Sequence, residues 1–279
     1  MLRHGDTGDW IGTFQGHKGA VWSAQLNHDA TLAATGSADF SVKLWDAISG
    51  DLIATLEHRH VVKCVAFTPN GKRLLTAGHE KILRIFDLGP IIAQSEHSTT
   101  PIYQFQTKEI IRKLVAITDT IVVTGQVDGT ISVWNLDTKQ LHKSFRVDSE
   151  NTGGVMDMER SRNGDILTLA AGNKVAFFDI AEDYALRASF MMPMSFKEEG
   201  GVSLHPMESK FIAGGSDTWV RVFDFQTGEM IECHKGHHGP IRCLRYSPSG
   251  KSFATGSEDG TIRIWQNGSD VITPVVDAV

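Results

Sequence analysis

Short runs of alternating apolar and polar residues, each ending at an aromatic side chain, recur along the chain. They are Ser41–Asp46, Leu83–Asp87, Ile131–Asn135, Val175–Asp179, Val220–Asp224 and Ile262–Trp265. The residues one and three positions before each aromatic are apolar in all six, and four of the runs carry Lys43, Arg84, Arg221 or Arg263 two positions before it. Such period-two alternation predicts strands with one packed face. The aromatics Trp45, Phe86, Trp134, Phe178, Phe223 and Trp265 lie 41 to 48 residues apart. Periods of this length signal a repeated supersecondary unit. The longest apolar stretches are about five residues, far short of the roughly 20 that cross a bilayer.

Polar residues keep a second register. His17, His58 and His237 each precede an aromatic by 28 residues. Asp39, Glu80 and Asp259 stand six before the same aromatics, and Thr35, Thr76 and Thr255 stand four before those acids. The quartet reads as a buried relay, in which the threonine hydroxyl bridges the indole N–H and a histidine ring whose other nitrogen reaches the acid. Each member then has a partner, so burial costs little. The third unit keeps Thr124, Asp128 and Trp134 but has Gln106 in place of histidine; the fifth keeps Asp217 but has Ala213 and Phe223; the fourth has no acid. These three are expected to rely on apolar packing, the fourth most of all. A nucleophilic Thr–His–Asp site is the rival reading, but several copies of one active site, each buried between strands, argue against it.

Gly16-His17, Gly236-His237 and Trp45-Asp46 resemble the WD repeat. That resemblance implies an all-β WD-repeat β-propeller with four-stranded antiparallel blades, spanning residues 1–279 as a single domain. Trp10–Phe14 reads as an outer strand that precedes the first complete unit. Either it pairs with the last blade and closes a six-bladed ring, or it belongs to a seven-bladed design with an incomplete first blade. Gly5–Phe14, Gly16–Trp22, Ser37–Phe40, Phe211–Gly215, Lys235–Pro240 and Gly256–Trp265 resemble the serine/threonine kinase receptor-associated protein family. This favours the seven-bladed design, with 1–14 a remnant of the first blade and 267–279 a C-terminal tail. The family resemblance implies a scaffold that binds a growth-factor receptor and inhibitory Smad proteins, or that serves the survival-of-motor-neuron complex in spliceosomal ribonucleoprotein assembly. Subunit i of translation initiation factor 3 is a looser resemblance, through Gly16–Trp22 and Gly236–Ile241.

Composition narrows the chemistry. A net charge of −6 argues against a broad nucleic-acid surface, and Lys43, Arg84, Arg221 and Arg263 recur at one position of the unit instead of filling one groove. RNA contact thus stays possible without being indicated by charge. No phosphate-cradling glycine loop, zinc-ligand spacing or nucleophile motif stands out, so no enzyme, cofactor, metal site or small-molecule substrate is expected. His237-His238 reads as a relay member beside a solvent neighbour, and Met191–Met194 as an outer strand with proline at its edge. Cys64, Cys233 and Cys243 lack CxxC spacing and are expected to be reduced, buried thiols of a cytoplasmic or nuclear protein. Asn267-Gly268-Ser269 is a glycosylation sequon by pattern alone, and no export signal precedes the first strand.

The partners expected are proteins in a multi-protein complex, without membrane insertion. By register, Trp22, Lys63, Ile111, Met156 and Arg242 flank the inward residue of each first strand at its rim, with Glu258 from a neighbouring turn. Trp22 is the strongest candidate, since an amphipathic ring is a common interface anchor.

Overall fold

The computed structural model describes all residues except Asp6, 94–98, 148–152, 197–199, 268–275 and 278–279. The Gly268-Ser269 half of the sequon and most of the expected tail therefore lie outside the described residues. A two-stranded ribbon pairs β1 (Leu2–Arg3) with β2 (Trp10–Gly12). The rest divides into two compact units, residues 1–2 with 12–146, and residues 3–11 with 147–279.

The first unit holds three four-stranded antiparallel sheets in chain order. Sheet one is β3 (Val21–Leu26), β4 (Leu32–Ser37), β5 (Ser41–Asp46) and β6 (Leu52–Glu57). Sheet two is β7 (Val62–Phe67), β8 (Arg73–Gly78), β9 (Ile82–Asp87) and β10 (Tyr103–Gln106), with helix α1 (Leu88–Ile92) after β9. Sheet three is β11 (Ile111–Ala116), β12 (Ile121–Gln126), β13 (Thr130–Asn135) and β14 (Gln140–Arg146).

The second unit repeats the plan. Sheet four is β15 (Val155–Arg160), β16 (Ile166–Ala171), β17 (Lys174–Asp179) and β18 (Ala185–Met191). Sheet five is β19 (Gly201–Leu204), β20 (Lys210–Gly214), β21 (Trp219–Asp224) and β22 (Met230–Lys235). Sheet six is β23 (Ile241–Tyr246), β24 (Ser252–Ser257), β25 (Thr261–Gln266) and β26 (Val276–Asp277). The outer strand of sheet six is thus drawn from residues 267–279, and it pairs through Thr261 with Asp277 and Ile262 with Val276. Part of the expected tail is thus a strand, and of the two alternatives for the N-terminal strand, pairing with the last sheet is not seen among the described residues, where β2 is paired with β1. Among the described residues the count is six four-stranded sheets and one ribbon.

Within each unit, apolar residues of one sheet pack face to face with the next. Ala34, Val42, Leu44 and Leu56 of sheet one meet Val62, Val65 and Phe67 of sheet two. A first strand has an open edge whose N–H groups need acceptors. The preceding sheet supplies them: Ser23 Oγ accepts from Val65 N–H at 3.2 Å, and Gln25 Oε1 from Phe67 N–H at 2.8 Å. In the second unit Asp157 accepts from Val202 N–H and Ser203 from Tyr246 N–H. Met192 and Met194 pack into an aromatic core with Phe177, Phe196 and Phe211. Sheet four therefore replaces the polar relay with rings, as the absence of an acid leads one to expect.

Sheet one is the exception in the first unit. Val21 occupies the position of Val62, yet it is 50% exposed where Val62 is 1% exposed. A cavity of about 510 Å³ opens beside this face, lined by Leu2, Phe14, Val21, Leu26, Ala33 and Trp45 among others. The cysteines follow the same logic. Cys64 is buried, which pushes its thiol up to about 12, while Cys233 and Cys243 are exposed, contrary to expectation. Cys243 sits at the register position of Cys64, but on the last sheet in chain order.

These burials set a comparison of two equivalent residues. Val62→Ala should cost about 1–3 kcal/mol through lost burial and a cavity, whereas Val21→Ala should stay within about 0.5 kcal/mol. Urea unfolding of the two variants checks this, and equal losses would contradict the packing described.

Candidate functional site

The threonine at the centre of each complete relay is placed by the middle strand, and the tryptophan by the next one. In sheet one the Trp45 indole N–H donates to Thr35 Oγ1 at 2.8 Å, and Thr35 Oγ1 lies 2.7 Å from His17 Nε2. His17 Nδ1 then reaches Asp39 at 2.9 Å. Sheet six repeats the geometry. Trp265 donates to Thr255 at 2.8 Å, Thr255 lies 2.8 Å from His237 Nε2, and His237 Nδ1 lies 3.2 Å from Asp259. Each carboxylate also clamps the backbone, through Lys18 N–H in sheet one and His238 N–H in sheet six. The relay therefore joins the second and third strands, the turn between them and the loop before the first strand.

Burial works against both carboxylates. Hydrogen bonds outweigh it, from Ser41, Lys18 and His17 at Asp39, and from His238, Thr261 and His237 at Asp259, and both are held below the usual carboxylate range. The histidine His237 is itself pushed down, first by burial and against the pull of Asp259.

The other acids are spent differently. Glu80 takes Arg59 N–H and the Arg84 guanidinium, and His58 turns its Nδ1 to the Leu56 carbonyl at 3.0 Å while keeping Thr76 at 2.8 Å. The extra methylene of glutamate, and a phenylalanine in place of tryptophan, account for the change. Asp217 pairs with Arg221 at 2.7 Å, and Asp128 with Arg146 at 2.7 Å, while Trp134 still donates to Thr124 at 3.0 Å. Gln106 does not enter the relay; its amide donates to the Lys81 and Thr107 carbonyls. One rule covers all five. An acid at this turn position binds a histidine where one is aligned with a tryptophan, and otherwise an arginine of the adjoining strands. Arg84 and Arg221 are consequently largely buried partners of acids and not a nucleic-acid contact row.

The first strands carry a second repeated feature. Their ladders slip between Val21 and Ser23, Val62 and Cys64, Ile111 and Lys113, Val155 and Asp157, and Ile241 and Cys243. The bulge residues are therefore Trp22, Lys63, Arg112, Met156 and Arg242. Bulges re-aim a side chain at a sheet's rim. Trp22 is 44% exposed, with the Lys63 ammonium 3.0 Å above its ring. Arg242 reaches Glu258 at 2.8 Å, and both are solvent-accessible. Two predicted rim residues are corrected. Ile111 is fully buried as the inward residue, because of the two isoleucines at 110 and 111 it is the second that faces the core, and Arg112 takes the bulge. Met156 sits on its bulge but is buried in the aromatic core.

One cluster has no counterpart in the repeat register. Arg245 grips Asp157 through two hydrogen bonds of 2.6 and 2.8 Å and lies 3.6 Å from Glu159. It ties β23 to β15 across β19, within the second unit. Burial pushes the Glu159 carboxyl up to about 7, with Arg245 opposing. Two acids at alternate positions of a first strand were the available signal; their partner lies 88 residues away.

Loss of a relay member leaves the others orphaned. Asp259→Ala should lower stability by about 1–3 kcal/mol, and Trp45→Ala by about 3–5 kcal/mol because a cavity is added. Unchanged denaturation midpoints for both would refute the relay. Acid should act in two stages. Burial above all pushes His58 down from 6.5 to about 4, so it stabilises the fold above its ordinary value and loses that contribution as pH falls towards 4. Asp39 and Asp259, also held low, lose theirs at still lower pH. Tm should therefore decline between pH 6.5 and 4, and His58→Gln should flatten that limb.

Comparison with known proteins places these features. The family model described as WD domain, G-beta repeat matches residues 8–46, 50–87 and 228–266. Serine-threonine kinase receptor-associated protein of Dictyostelium discoideum is 45% identical over 95% of the chain and 86% of its own length. The protein of that name from Homo sapiens is 43% identical over 95% of the chain and 72% of its own length. Eukaryotic translation initiation factor 3 subunit I of Culex quinquefasciatus is 30% identical over 92% of the chain and 84% of its own length. The all-β sheets, their repeated relay and this likeness along almost the whole sequence establish that the chain belongs to the serine-threonine kinase receptor-associated protein family of WD-repeat β-propellers.

Proposed function

We propose that the chain is a non-enzymatic adaptor that holds proteins together in a multi-protein complex. The observation that carries this reading is the contrast between what the sheets share and what they vary. The relay beneath is nearly the same in sheets one and six, whereas the bulge residues at the sheet ends are Trp22, Lys63, Arg112, Met156 and Arg242. A scaffold that repeats its interior and diversifies its rim suits binding of several partners. The Thr–His–Asp geometry recurs in two sheets with indole N–H groups already filling the threonine oxygens, which fits a structural role.

The finer reading follows the family. The adaptor serves a survival-of-motor-neuron type complex in spliceosomal ribonucleoprotein assembly, in cytoplasm and nucleus, or a signalling assembly at a serine-threonine kinase receptor. A role like that of the translation initiation factor 3 subunit is the second reading, favoured by the 30% identity over nearly the whole chain.

Affinity purification of the tagged chain from its native extract, with quantitative mass spectrometry, separates these roles. Enrichment of Sm-assembly factors supports the first, and enrichment of initiation-factor subunits supports the alternative. Elution without stable partners at physiological salt would overturn the adaptor reading. Trp22→Ala should keep the wild-type Tm and lose at least one partner.

A further inference from the structure

Sheet six holds a positive charge that its own acid does not meet. At the turn before the third strand, Glu80 and Asp217 each pair with the arginine four residues on, Arg84 and Arg221. Arg263 has the same place in sheet six, but Asp259 is spent on His237, His238 N–H and Thr261. In sheet one, where the acid is likewise spent, the cation is Lys43 and it donates to Thr55 Oγ1 at 2.9 Å. Arg263 is 9% exposed and lies across Gly236, where a Cβ would come within 2.7 Å of its Nη1. Among the described residues no carboxylate pairs with it, and its Nε–H, shut off from solvent, has no hydrogen-bond acceptor. Its charge is felt at His237, which is pushed down first by burial and then, against the pull of Asp259, by Arg263 and His238. A buried charge without a counter-ion costs stability, so folding gives no reason for this guanidinium.

The adjoining end of sheet five carries the second observation. The residue two after the turn acid is a hydroxyl donor in sheets one, three and six, where Ser41, Thr130 and Thr261 donate to Asp39, Asp128 and Asp259. In sheet five it is Trp219, 39% exposed. The ladder sets Trp219 opposite Lys235, whose ammonium lies 4.1 Å from the ring centroid and pairs with no carboxylate among the described residues. Lys235 directly precedes Gly236, the residue that Arg263 lies across. The neighbouring acids are engaged, Asp217 with Arg221 at 2.7 Å, Glu232 with His234 at 3.1 Å, and Glu258 with Arg242 at 2.8 Å. An exposed indole and two cations without carboxylates thus meet at one end of sheets five and six, on a chain of net charge −6.

We propose that Trp219, Lys235 and Arg263 form a docking surface for an acidic peptide segment of a partner protein. A guanidinium with an unused Nε–H suits a carboxylate, which takes two parallel N–H donors from that group. Lys235 supplies the charge for a second carboxylate, and an apolar side chain between the two can lie against the edge of Trp219. Single-stranded RNA stacks on open ring faces, whereas Lys235 and Arg221 already stand over the Trp219 ring, at 4.1 and 5.1 Å. The proposal rests on the adaptor reading and specifies the chemistry of one partner.

The test is fluorescence anisotropy with a fluorescein-labelled peptide of glutamates flanking a central leucine, and with its lysine counterpart and oligo-uridine as controls. The glutamate peptide should bind, with affinity falling as salt rises, and both controls should not. Trp219→Ala and Arg263→Met should each weaken binding by about tenfold or more. Arg263→Met should also keep the wild-type Tm or raise it, since the stem is kept and an unpaired charge removed; a merely structural arginine would lower Tm and leave binding intact. Lys235→Glu should abolish binding, whereas Lys72→Glu, the same charge change at an exposed turn of the first unit, should leave it as in wild type. Binding absent from wild type, unchanged in Arg263→Met or Lys235→Glu, or lost equally in Lys72→Glu overturns the proposal, as does tighter binding of oligo-uridine. Co-purification of partners is scored separately. Partners retained without peptide binding overturn this surface alone, whereas peptide binding without any stable partner overturns the adaptor reading.

Discussion

A four-stranded sheet with apolar side chains on both faces is stable only when each face is covered, and this constraint organises the protein. Sheet one meets it on one side, where Ala34, Val42 and Leu44 meet Val62, Val65 and Phe67. On its other side Val21 is half exposed, so the same residue type is buried in one sheet and open in another. The hydrogen bonds from Val65 and Phe67 N–H to Ser23 and Gln25 serve the same end, since they hold the open edge of one sheet against its neighbour.

Within a sheet the relay does the local work. Thr35 and Thr255 each accept an indole N–H and meet a histidine, so a single hydroxyl fixes two strands and a loop. Where the tryptophan or histidine is replaced, the acid changes partner to arginine, as at Glu80, Asp128 and Asp217. Where the acid is missing, in sheet four, stacked phenylalanines and buried methionines fill the space. The interior is thereby settled by repetition, and the bulge and turn residues are left to vary.

The strands and the relay were legible because both rest on spacing: alternation sets the packed face, and a fixed offset brings Thr35, Asp39 and Trp45 together. What depended on less than one residue of register was not. Two successive isoleucines hid which of them faces inward, so Ile111 stood in for Arg112. One methylene separates Glu80 from the aspartates of the complete relays, and it sends His58 to a backbone carbonyl. Features that depend on distant chain were also hidden. Arg245 reaches Asp157 across 88 positions, and Cys243 shares its register with Cys64 but not its cover.

The most direct measure of whether neighbouring cover governs this fold is hydrogen exchange read strand by strand. β3 and β7 have equivalent places in their sheets, with the same bulge and the same antiparallel partner. Amides of Val21–Leu26 should exchange markedly faster than those of Val62–Phe67 under native conditions, because the residues of β3 are mostly exposed and those of β7 mostly buried. Equal protection in the two strands would contradict it.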